Sequence, residues 1–157
     1  MSNSLYEQLI ALEDEYVALA LTYEENGSFE MAFISLWSIL EQIMKPIASV
    51  STKRKLEDSL QEWTAYVQNP SSEKKPKEIK NFQLEYVSTS IPMISQIEYA
   101  TGNVPKLKEL MDSNGKYRRK RNDIAHRAEK VSDKVYPDYK DAALAALDEL
   151  KDVLTNV

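Results

Sequence analysis

Cysteine is absent from this 157-residue chain, so neither a disulfide nor a thiolate metal site can form. Histidine occurs once, and one imidazole without any thiol cannot assemble a zinc site of the usual kinds. No metal or other cofactor is therefore expected. The three glycines, Gly27, Gly102 and Gly115, are scattered, which excludes a glycine-rich phosphate loop and argues against a turn-rich β fold. No nucleophile-elbow sequence supports a serine triad. Apolar runs fall well short of the roughly 20 residues that a membrane span needs. The opening "MSNSLYEQL" lacks the basic region and apolar run of a secretory signal. A soluble, cytoplasmic protein without membrane attachment is the expectation.

What is present favours helix. Hydrophobic residues make up 43% of the chain and charged ones 29%, enough for one cored domain over 1–157. Leu5, Leu9, Leu12, Tyr16, Leu19 and Tyr23 advance by alternating fours and threes, one stripe on one helix. Asn26-Gly27 stops it, and Ser28 can cap a second helix. Phe29, Phe33, Leu36, Trp37, Leu40, Ile43 and Met44 give that helix a broad buried face, and Pro46 is expected to bend or end it. A third helix is predicted after Ser51 or Thr52, burying Leu56, Leu60, Trp63 and Val67. Trp37 and Trp63 are both expected to anchor the core.

The stretch "QNPSSEKKPKE", 68–78, has no period and reads as an exposed loop. Helical patterning resumes near Ile79, breaks at Pro92, and ends at Gly102. A short helix from Pro105 to about Met111 leads to Gly115 and a further helix. Ala143, Leu147, Leu150 and Leu154 mark the last one. No strand and no repeat is evident. The expected fold is all-α: a helical bundle of four to five main helices with a mid-chain loop insertion.

Charge is unevenly spread. Residues 116–130 carry seven Lys or Arg against Asp123 and Glu129, a net +5, which leaves −10 on the rest of a chain whose total is −5. A basic island on an acidic body points to a local anionic ligand. Inside it lies the single histidine, in "KYRRKRNDIAHR". Metal-free RNA cleavage needs a base for the 2′-hydroxyl proton, an acid for the leaving oxygen and cations for the phosphorane charge. His126 can move protons near neutral pH, and Arg121 can grip a phosphate through paired hydrogen bonds. Asn122 and Asp123, four and three residues before His126, are placed to orient the imidazole. Residues five apart on a helix are turned by about 140°, so Arg121 would have to sit at the helix start or in a distorted turn, or a second chain would complete the site. A two-fold dimer would also supply separate acid and base. Ile124 and Ala125 would face inward. Lys116, Arg118, Arg119, Lys120 and Arg127 would attract phosphates without reading sequence, and Tyr117 is a candidate for base stacking.

"RNDIAH" in an all-helical chain resembles the HEPN superfamily, whose signature is an arginine, four to six residues, then a histidine, often with a polar residue directly after the arginine. Arg121, Asn122 and His126 match it, and Arg119, with six residues before His126, also satisfies the spacing. The stretch "AFISLWSILEQI", 32–43, is similar to the long aromatic-bearing second helix of such domains, whereas Lys116 stands where some members carry an acidic residue. The resemblance implies a dimerising helical bundle with both motifs lining one cleft. It also implies a metal-independent endoribonuclease of toxin–antitoxin, phage-defence or RNA-processing type, with RNA as substrate and an antitoxin or other protein as companion. The alternative is an inactive member that binds nucleotide, RNA or a protein partner. A third reading is an interaction module whose basic island docks an acidic partner.

Overall fold

The structure, a computed structural model, describes residues 4–70, 74–76, 93–112 and 114–155. Its elements in chain order are α1 (Leu5–Glu25), α2 (Phe29–Gln68), α3 (Met93–Thr101), α4 (Pro105–Leu110), α5 (Lys116–Arg127) and α6 (Tyr136–Leu154). Among the described residues there is no strand, as the helical periodicity predicts.

Helix α1 begins with a capping box. Glu7 N–H donates to Ser4 Oγ, and Ser4 N–H donates back to the Glu7 carboxylate, each at 3.1 Å, so two amide groups with no helical partner are satisfied together. Gly27, at φ +74°, closes it: the Ser28 amide turns back to Tyr23 O at 2.9 Å, and the chain reverses directly into α2. Ser28 occupies the position before α2, but its side chain makes no capping bond. The buried stripe of α1 also differs from expectation. Leu19 is exposed, and Ala20 beside it is buried instead.

Helix α2 is the spine. At 40 residues its helical path is about 60 Å, and it continues across Pro46. Pro46 therefore does not end the helix, and the separate third helix expected after Ser51 or Thr52 is not found. Ile43, Met44, Ile47 and Ala48 flank the proline and are all buried, so tertiary packing on both sides offsets the missing hydrogen bond. Beyond that point the apolar pattern does not mark a buried face. Leu60 and Val67 are 51% and 71% exposed, and Trp63 is half-buried, packed edge-on to Tyr66 at 5.9 Å and outside the core. The helical patterning expected from Ile79 and the break at Pro92 lie outside the described residues, as does part of the 68–78 loop.

Against α2 pack α1, α3, α5 and α6, with α4 lying on α6. The four residues expected to be apolar anchors of α6, Ala143, Leu147, Leu150 and Leu154, are all buried. So are Phe33, Leu36, Trp37, Leu40, Ile43 and Met44 on α2. The centre is an aromatic stack. Tyr139 is fully buried with its ring centroid 3.6 Å from that of Phe33, its hydroxyl donating to Phe33 O at 3.1 Å, and Trp37 and Tyr117 at 6.5 and 5.4 Å. That hydrogen bond satisfies a hydroxyl which would otherwise be costly to bury. The stack ties α2, α5 and α6 together and fixes where the basic island stands.

Candidate functional site

Helix α5 is set by its two ends. At its start, a side chain on Gly115 would meet Asp112 O at 3.0 Å and Asp112 Cβ at 3.3 Å, so the tight turn from α4 leaves little room for one there. Arg118 donates to Met111 O at 3.3 Å and Arg119 to Asn114 O at 2.9 Å, tying the same turn from the helix side. At its end, Ala128 adopts the left-handed conformation, φ 50° and ψ 36°, and the chain leaves the helix axis. Between them no residue of α5 is fully buried. Ile124 and Tyr117 pack against the core, whereas Ala125, expected to face inward, is exposed.

Arg121 sits mid-helix in regular α-helical backbone, neither at the helix start nor in a distorted turn. Its guanidinium pairs with Glu41 Oε1 on α2 at 2.9 Å and donates to Asn122 Oδ1 at 3.2 Å. The same Glu41 oxygen accepts from Trp37 Nε1 at 2.9 Å, so the arginine is joined through one carboxylate to the aromatic centre. His126 is exposed, about 140° round the helix from Arg121 and roughly 7.5 Å further along. Within one chain the two side chains leave different sides of α5. Neither expected helper is directed to the imidazole: Asn122 accepts from Arg121, and the Asp123 carboxylate lies 4.0 Å from Arg127.

The remaining cations are partly compensated. Lys120 pairs with Glu129 at 2.9 Å, and Lys130 lies 3.4 Å from Glu30 on α2. The Lys120 hydrogen bond holds the Glu129 carboxyl below its ordinary value. Glu30 is lowered too, chiefly by its own backbone amide, with Lys130 adding to it. Lys116 stands over the ring of Tyr117, 4.9 Å from its centroid. Tyr117 itself is half-buried against Tyr139, so only part of its ring is offered to solvent. Such exposed pairs contribute little stability each, but they lower the field that a phosphate would feel.

Beside Arg121 opens a cavity of about 360 Å³. Trp37, Met44, Met93 and Met111 form its apolar wall. Glu41, Lys45, Arg118, Arg121 and Asn122 form its polar rim, and His126 lies outside it. Of these groups, sequence inspection selected Arg118, Arg121 and Asn122. It missed Glu41 and Lys45, which lie on a helix read only for its buried face. Among the described residues no three His, Asp or Glu side chains cluster so as to hold a metal ion. No helix among them is long and apolar enough to cross a membrane.

This is an all-α helical bundle with a cationic surface helix beside an apolar-walled cavity. Comparison with protein-family models, with curated proteins and with solved structures finds no match.

Proposed function

We propose that the chain is a metal-independent endoribonuclease that cuts by 2′-hydroxyl attack, with His126 moving the proton and Arg121 holding the scissile phosphate. The observation that carries this reading is the presentation of α5. A helix without a fully buried residue offers an exposed imidazole on one side and a guanidinium with a neighbouring amide on the other. An RNA backbone lying along one side of α5 would meet Arg121 or His126 but not both, and a second copy of α5 facing the first would bring the two kinds of side chain to one phosphate.

In the reaction the neutral imidazole takes the 2′-hydroxyl proton, and the 2′-oxygen attacks phosphorus. The P–O5′ bond breaks, and the departing 5′-oxygen takes a proton from an acid. The products are a 2′,3′-cyclic phosphate and a free 5′-hydroxyl. A second copy of the chain, related by a two-fold axis, would bring the second imidazole as acid and place its own Arg121 opposite. The roughly 140° between Arg121 and His126 favours such a composite site over one built from a single helix. This activity would suit a cytoplasmic toxin–antitoxin, phage-defence or RNA-processing setting, with an antitoxin or other protein as companion.

One observation favours a second reading, a non-catalytic domain of the same kind that binds RNA, nucleotide or a protein partner. Arg121 is already charge-compensated by Glu41 and turned away from His126. Incubating mixed cellular RNA with the protein in EDTA separates the two. Cleavage with cyclic-phosphate ends, lost in His126→Ala, supports the nuclease; salt-sensitive binding with intact RNA supports the second reading.

A further inference from the structure

The cavity beside α5 has an apolar wall that the cleavage chemistry does not use. Met44, Met93 and Met111, three of the five methionines in the chain, line it together with Trp37. Methionine sulfur is polarisable and unbranched, so such a wall adapts to a flat ring and makes favourable sulfur–aromatic contacts. Among the described residues the rim is cationic: Lys45, Arg118 and Arg121 against the carboxylate of Glu41.

Donors remain for a ligand. A guanidinium carries about five N–H groups, of which Arg121 commits one to Asn122 and one to Glu41, and Arg118 one to Met111 O. Lys45 is exposed, on the same rim. A volume of about 360 Å³ is at the lower end of small-molecule sites, large enough for one ring system and its anionic substituent.

We propose that this cavity is a binding site for a small aromatic anion, its ring against the methionine wall and its phosphate or carboxylate at Lys45, Arg118 and Arg121. The site shares Arg121 with the nuclease reading, but its apolar wall and Lys45 have no part in cleavage, and His126 lies outside it. Glu41 sets the threshold: an incoming anion must share Arg121 with a carboxylate already seated there. A ligand that is only a ring, or only an anion, satisfies half of the lining and leaves the other half in water.

Isothermal titration of the full chain tests this with four probes: adenosine monophosphate, indole-3-acetate, adenosine and inorganic phosphate. At least one of the two ring-bearing anions is expected to bind about tenfold or more tightly than both adenosine and phosphate. Preference for the nucleotide assigns a phosphate monoester, and preference for the indole acid assigns a carboxylate. Lys45→Gln, a surface change that leaves the core untouched, is expected to weaken the tighter ligand about fivefold, and Glu41→Gln to strengthen it. Lys53→Gln, further along α2 and outside the cavity, should change nothing. Ring-bearing anions binding no better than adenosine and phosphate, or binding unchanged in Lys45→Gln, would overturn the proposal. Both measurements repeated in His126→Ala keep this outcome separate from the fate of the nuclease reading, since loss of cleavage with retained binding contradicts neither.

Discussion

Ala128 is the non-glycine residue with positive φ among those described, and it ends the helix that carries every candidate catalytic side chain. An L-residue in that conformation costs about 1–2 kcal/mol, which glycine does not incur. Ala128→Gly is therefore expected to stabilise the fold by about 1 kcal/mol, seen as a higher urea midpoint at unchanged slope. A lower midpoint would mean that the Ala128 methyl contributes packing worth more than the strain. At this scale the sequence showed the types of the site residues but not their partners. Arg121 and His126 stand out in "RNDIAH" by chemistry alone. Glu41, which takes the charge of Arg121, lies 80 positions earlier on another helix, and nothing in its neighbourhood marks it. The helpers assigned to His126 by spacing, Asn122 and Asp123, turn to arginines instead, because a guanidinium within reach competes better for an amide oxygen or carboxylate than an exposed imidazole does.

Among the elements, α2 departs furthest from what its residues suggest. Proline in a helix interior removes one hydrogen bond and crowds the preceding turn, a cost of about 3 kcal/mol, so a break at Pro46 was the natural expectation. The helix continues because burial of Ile43, Met44, Ile47 and Ala48 outweighs a local penalty. Pro46→Ala should then raise stability by about 2 kcal/mol, the helical gain less the entropy that proline removes from the unfolded chain. Thermal unfolding measures it, and a destabilised variant would show that the spine needs its proline. The end of α1 and the starts of α4 and α5 were legible because each has a local signal, Gly27, Pro105 and Gly115, whereas the stripe of α6 showed that a helix is there without showing where it begins. The exposed Leu60 and Val67 were not, since helical spacing marks an apolar face without saying whether another element covers it.

For the molecule as a whole, the titratable groups with raised values make stability most sensitive to pH on the alkaline side. Burial raises the Tyr139 hydroxyl well above its ordinary value of 10.0, and burial with the neighbouring Glu24 raises Tyr136 likewise. Lys151 is also raised, by its hydrogen bonds to Asp148 and then Glu13. Groups raised on folding contribute fully below their unfolded values, and that contribution is lost as pH climbs past them. Glu30 and Glu129 are lowered instead, so their smaller contributions disappear as pH falls below about 4.5. The melting temperature is thus expected to hold through neutral pH and to drop steeply above about pH 10, more steeply than on the acid side. A melting temperature unchanged to about pH 11 would contradict the buried state assigned to the two tyrosines.

The most direct test of the proposed function acts on the whole protein. Mixed cellular RNA is incubated in EDTA with the wild type and with His126→Ala, after circular dichroism shows that both are folded, and the product ends are examined. Cutting by the wild type alone, leaving 2′,3′-cyclic phosphate and 5′-hydroxyl ends, is the predicted result. Intact RNA with both proteins, or equal cutting by both, would contradict the assignment of His126 as the proton-transfer residue of a ribonuclease.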